Sequence, residues 1–253
     1  MVVGIVAAAI GMATLAGVVL ARGGDPARAC RSTLVPAYVG PAELTALAER
    51  PHRPRLVVIN PDSGPGPRRD AAYAEAVRRA QDAGLRVLGY VATGYGARTV
   101  ADVGADVDRY AGWYGVDGIF LDETAHSEDL VGHYRRLAAR ARRDAGGLVV
   151  LNPGVVPAPG YFAFADVVVT FEGPAAEYAA AVARTPAWVE TYPPGRIAHL
   201  VYDASREQAV AAVGAGARAG YVYITSGTLP NPWQTVPDYL EEEEALLAEC
   251  AGS

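Results

Sequence analysis

The chain has 253 residues, 51% of them hydrophobic and 20% charged, so it carries enough apolar surface for one substantial core and is not a disordered polymer. Its net charge is −6, every lysine/arginine-type residue is an arginine, and no basic stripe stands out, so nucleic acid is repelled rather than attracted. At this length a single α/β barrel is the leading one-domain solution.

Residues 2–20 carry no charged side chain, and Arg22 ends the run. The stretch is about long enough to span a bilayer and also fits the apolar region of a signal peptide. Segment 1–21 therefore reads as a signal peptide or a retained membrane anchor. Either way the protein is secreted or held at the outer face of the membrane, which it touches only through that segment. Residues 22–32 read as a short tether and 33–253 as the folded body. Cys30 and Cys250 bracket that body, and in an exported chain such a pair predicts a disulfide.

From residue 34 onward, short β-branched runs alternate with longer amphipathic stretches. Strands are predicted at 34–38, 56–60, 87–91, 118–122, 148–152, 167–171, 199–202 and 221–225. Helices are predicted at 42–50, 70–83, 100–114, 128–144, 175–184, 206–219 and 237–250. Eight strands alternating with helices predict a single (β/α)8 TIM-type barrel. An open doubly wound sheet is the alternative, disfavoured because no G-x-G-x-x-G follows the first strand. The fifth unit should be irregular, since 153–165 holds three prolines and is too short for a full helix. Gly84 and Gly220 stand where helices must stop and turn into strands. The acidic run 241–244 reads as a solvated helix face.

In such barrels chemistry sits where strands end. Those positions offer Tyr38, Asn60 with Asp62, Tyr90 with Thr93, Asp122 with Glu123, Asn152, Glu172, Tyr202 with Asp203, and Thr225 with Ser226. Three carboxylates closing two apolar strands fit glycoside hydrolysis, which needs one carboxyl group to protonate the leaving oxygen and a second as nucleophile or base. Asp122 and Glu172 come from alternate strands, four and six, and should face each other. Glu123, next to Asp122, should point elsewhere and serve in support. Tyr38, Tyr90, Tyr95, Tyr202, Tyr223 and Trp233 offer flat faces for sugar rings and hydroxyls for hydrogen bonds. The candidate substrate-binding residues are thus Tyr38, Asn60, Asp62, Tyr90, Tyr95, Asn152, Tyr202 and Trp233. His52, His126, His133 and His199 lack the paired spacing of a zinc site, although His126 lies near the acidic pair, and no cofactor or metal is expected. The turn at 63–66 lacks a P-loop lysine and shapes the rim.

The segments VINPDSGPG (58–66), VLGYVATGYGAR (87–98), WYGVDGIFLDE (113–123), LNPG (151–154) and TFEG (170–173) resemble the spherulin-4-like family. That resemblance implies a barrel glycoside hydrolase acting on an exopolysaccharide rich in α-1,4-linked N-acetylgalactosamine or galactosamine. It also implies a catalytic centre of Asp122, Glu123 and Glu172. A carbohydrate-binding protein without turnover on the same scaffold is the alternative.

Overall fold

A computed structural model describes residues 31–215 and 218–248. Eight parallel strands follow one another round a single sheet in chain order: β1 (Leu34–Ala37), β2 (Leu56–Ile59), β3 (Arg86–Ala92), β4 (Gly118–Asp122), β5 (Leu148–Leu151), β6 (Val167–Pro174), β7 (Ile197–Tyr202) and β8 (Tyr221–Ile224). Between and after them run α1 (Pro41–Ala48), α2 (Ala71–Asp82), α3 (Val100–Tyr114), α4 (Val131–Asp144), α5 (Ala175–Ala183), α6 (Arg206–Ala215) and α7 (Leu240–Ala248). Ser32 closes the ring against β8: its N–H donates to Gly220 O (3.0 Å) and its carbonyl accepts from Val222 N (3.1 Å). This is the expected (β/α)8 barrel.

Local chemistry sets the helix starts. Asp70 accepts from the N–H groups of Ala72 and Tyr73, and Thr99 from that of Asp102, so α2 and α3 open on side-chain caps. The fifth crossover holds no α-helix, only a 3-10 turn at Pro159–Ala163, as its prolines require. The two glycines serve different ends. Gly84, at φ 92°, makes the left-handed turn out of α2. Gly220 needs no unusual φ; a Cβ there would lie 2.6 Å from Pro194 O, so close backbone approach excludes any side chain.

Two expectations change at the amino end of the barrel. The acidic run is only half solvated: Glu241 and Glu242 are exposed, whereas Glu243 and Glu244 share a buried helical face with Leu240 and Leu247. Glu244 accepts hydrogen bonds from Thr33 N (3.1 Å), Thr33 Oγ1 and Ser32 Oγ (3.3 Å), binding the start of β1 to α7. Arg31 and Ser32, which the sequence places in the tether, are anchored to the barrel; Arg31 donates to Ala219 O (2.9 Å) and Val213 O (2.8 Å). Segment 1–21, Cys30 and Cys250 lie outside the described residues.

Candidate active site

Side chains alternate along a strand, and partners in a parallel ladder share a face. The ladder sets Ala92 beside Asp122 and Tyr90 beside Phe120, which puts Asp122 and Tyr90 on one side of the sheet. Tyr38, just past β1, meets Tyr90 edge to face with ring centroids 5.4 Å apart. The carboxyl ends of β1, β3 and β4 therefore converge inside the barrel mouth.

The centre of the site is Asn152, the first residue after β5. Its Nδ2 donates to Asp122 Oδ1 at 2.7 Å and, by a second short bond, to Glu172 Oε2. Its Oδ1 accepts from Gly154 N (3.0 Å), which fixes the amide with its NH2 toward the acids. Two oxygens bonded to one nitrogen lie no more than about 5 Å apart, so the two carboxyl groups form a pair across the mouth. Both side chains are half-buried and reach the solvent of the cup.

Glu172 faces this partner because β6 is bulged. Val169 pairs with Ala198, but Phe171 pairs with His199, leaving Thr170 as an extra residue. Thr170 and Phe171 both contact His199 on the helix side, and the alternation then resumes with Glu172 beside Leu200. Without the extra residue in the count, Glu172 would point toward the helices; the bulge returns it to the barrel axis.

Burial raises the affinity of both acids for protons. Glu172 is pushed up to about 7, first by desolvation and then by the charge of Asp122, with Asn152 and the Trp233 indole offsetting part of the rise. Asp122 is also raised by desolvation, but hydrogen bonds from the Glu123 backbone, Asn152 and Tyr90 favour its anion. Tyr90 and Tyr38 are pushed up by burial, then by Asp122, so both keep their hydroxyl protons near the carboxylates.

The other expected residues divide. Glu123 does turn away from the pair: its Oε2 accepts from Gly94 N (3.1 Å) and its carbonyl from Tyr95 N (2.7 Å), so it braces the loop after β3. Tyr95, at the tip of that loop, is 65% exposed. Tyr202 stacks edge to face on Trp233 with centroids 6.2 Å apart, and its hydroxyl feels the charge of Glu172. Trp233 differs from expectation. It is only 6% exposed, wedged against Tyr202 and Tyr223, so its ring face is covered and its indole serves Glu172 instead. Asn60 accepts from Gly64 N (2.6 Å) and holds the turn after β2, while Asp62 is exposed in that turn. Thr93 and Thr225 are buried; Thr93 Oγ1 bonds the carbonyls of Asp122 (2.9 Å) and Glu123 (2.6 Å). His126 is exposed on the loop after β4. Ser63, Tyr95, Glu123 and Asp203, the non-glycine residues at positive φ among the described residues, all follow strand ends on this face, where local backbone strain commonly accompanies function. Sequence reasoning missed Gly154 and Thr170. The Asn-Pro-Gly turn was a usable signal for the first; nothing in the apolar run of β6 marks the second.

Comparison with known proteins identifies relatives of this barrel. Residues 32–246 match the family model described as spherulation-specific family 4. Spherulin-4 of Physarum polycephalum is 34% identical over 231 residues, covering 85% of this chain and 69% of that protein. Sph3 of Aspergillus clavatus, solved in complex with GalNAc, superposes with a TM-score of 0.72 at 27% identity, over 86% of this chain and 98% of that one. A GH18 chitinase from Pseudoalteromonas aurantia (TM-score 0.52, 12% identity, 86% of this chain and 98% of that one) shares the fold.

Proposed function

The chain belongs to the spherulin-4 family, and on that premise we propose that it is a glycoside hydrolase cleaving an amino-sugar exopolysaccharide, an α-1,4-linked polymer of N-acetylgalactosamine and galactosamine. The observation that carries the reading is the Asp122–Asn152–Glu172 bridge, which holds oxygens of two carboxyl groups within about 5 Å of each other at the carboxyl end of the barrel. The GalNAc held by Sph3 supports the sugar class.

In this reading Glu172, with its proton affinity raised to about 7, is the general acid that protonates the leaving oxygen and then the base that activates water. Asp122, whose anion receives several donors, is the nucleophile. A pair this close, with no room for a water between the two carboxyl groups, favours retention of anomeric configuration over inversion. Tyr38, Tyr90 and Tyr202 border the bound sugar ring, Tyr95 offers a platform at the rim, and Glu123 holds that platform. The half-exposed acids favour endo cleavage of a chain lying across the mouth. A net charge of −6 and a carboxylate-rich cup suit neutral or cationic residues of a partly deacetylated polymer rather than uronic acids. Export through segment 1–21 would bring the enzyme to such a polymer outside the cell.

The test is to incubate the protein with partly deacetylated α-1,4-N-acetylgalactosamine polymer, follow new reducing ends, and read the anomer of the product by NMR. Asp122→Asn and Glu172→Gln should each lower turnover at least about a hundredfold while binding persists. Binding without reducing ends would make the protein a carbohydrate-binding module; normal turnover in either variant would remove that residue from the mechanism.

A further inference from the structure

Behind Glu172, on the far side of β6, three side chains form a buried hydrogen-bonded chain. The Tyr178 hydroxyl, from α5, lies 2.9 Å from His199 Nδ1, and His199 Nε2 lies 3.1 Å from Thr170 Oγ1. All three residues are buried, at 2%, 5% and 7% exposure. Burial, with the charge of Arg31 added, lowers His199 to about 4, so the ring is neutral near pH 7 and has one donor and one acceptor nitrogen. The two hydroxyls can satisfy either tautomer.

Thr170 is the bulged residue of β6, and His199 stands on β7 where the register shifts. Such a bulge inserts one residue without a ladder partner, and local interactions must hold it there. Were the register to slip by one residue, Phe171 would turn inward and Glu172 toward α5, away from Asp122. Phe171 resists the slip by packing on Tyr178 (5.1 Å between centroids) and His199 (6.3 Å). The hydrogen-bonded chain adds direction to that packing, because it fixes the extra residue itself.

We propose that Thr170, His199 and Tyr178 are positioning residues which clamp the β6 bulge and thereby aim Glu172 at Asp122. This rests on the reading of Glu172 as a catalytic residue. None of the three touches substrate. Their effect is on the orientation of the acid, so it is felt in turnover rather than in substrate binding.

The test uses the full chain and the partly deacetylated polymer, with kcat and KM measured separately. Thr170→Val and Tyr178→Phe each remove one oxygen and leave volume nearly unchanged; His199→Phe removes both bonds, and His199→Gln keeps an amide near the Nε2 position. Thr170→Val and His199→Phe should lower kcat about tenfold or more with KM within about twofold, because small misplacements of a reacting group are costly. His199→Gln should recover most of the loss, and Tyr178→Phe should show a smaller one. Leu137→Ala, in the buried face of α4, serves as a control that lowers the unfolding temperature with kcat unchanged. If Thr170→Val and His199→Phe lose only stability and keep kcat, the clamp is overturned while Glu172 stands. If Glu172→Gln turns over normally, the underlying reading falls instead.

Discussion

Replacing Asn152 by alanine isolates the contribution of the bridge. The amide donates to both acids, at 2.7 Å to Asp122 and by a second short bond to Glu172. A hydrogen bond to a charged group is worth about 1.5–3 kcal/mol. Only the bond to whichever carboxyl is anionic in the transition state counts differentially, so one such bond is the expected loss. At about 1.4 kcal/mol per factor of ten, kcat should fall roughly 10- to 150-fold. The substitution also moves the pH profile in a defined direction. Asn152 holds down the proton affinity of both acids, so its removal lets both rise. Asp122, needed as the anion, would set the acid limb and Glu172, needed with its proton, the alkaline limb, so the whole bell should move to higher pH. Reducing-end assays between pH 4 and 9 measure both effects. A kcat within twofold of the parent and an unmoved bell would refute the reasoning.

Glu172→Gln should stabilise the fold in alkaline solution even as it lowers turnover. The native carboxyl, near 7, sits above its ordinary value of 4.5, so the folded state keeps a proton that the unfolded chain releases, and its stability contribution falls as pH rises from about 4.5 through 7. The shift sets a ceiling of about 3 kcal/mol, and screening of this half-exposed side chain reduces it to roughly 1–2 kcal/mol. Urea unfolding should show the gain at pH 8 and none at pH 4; an equal gain at both would contradict the assignment. Tyr95→Ala, measured in the Glu172→Gln background, should weaken polymer binding roughly 3- to 10-fold without moving the unfolding temperature, and unchanged affinity would remove Tyr95 from the sugar path. Cys30 and Cys250 should be joined in a disulfide, with up to about 5 kcal/mol of stabilisation on the chain-entropy account; two alkylated thiols by mass spectrometry would exclude the bridge.

The strands were legible because each is a short apolar run between a helix stop and a polar end, and a barrel converts those ends into a site. The convergence of Asp122 and Glu172 followed from strand order alone. The reason Glu172 faces inward did not, because the run from Val167 to Phe171 reads the same with or without a bulge; the extra residue shows only in the pairing with β7. Trp233 deceived for a related reason. A tryptophan after a strand end suggests a platform, but its partners Tyr202 and Tyr223 come from two different strands, and their packing over it is a tertiary event. Glu243 and Glu244 sit in a run of four glutamates whose composition signals water. The polar groups that make burial of Glu244 tolerable, Ser32 and Thr33, lie at the other end of the chain.

That last contact bears on how the chain comes to be folded. Ser32 and Thr33 meet Glu244 across sequence separations of 212 and 211 residues, and Ser32 also pairs with β8. Until β8 has been made, β1 has an open edge, and until α7 follows, its start lacks the Glu244 latch. Loop-closure entropy must be met before so distant a contact gives any return, so closure comes late and slowly. A nascent chain therefore cannot shut and latch its barrel until both β8 and α7 have been synthesised, so the amino-terminal strand must wait, unpaired on one side, for nearly the whole body to emerge.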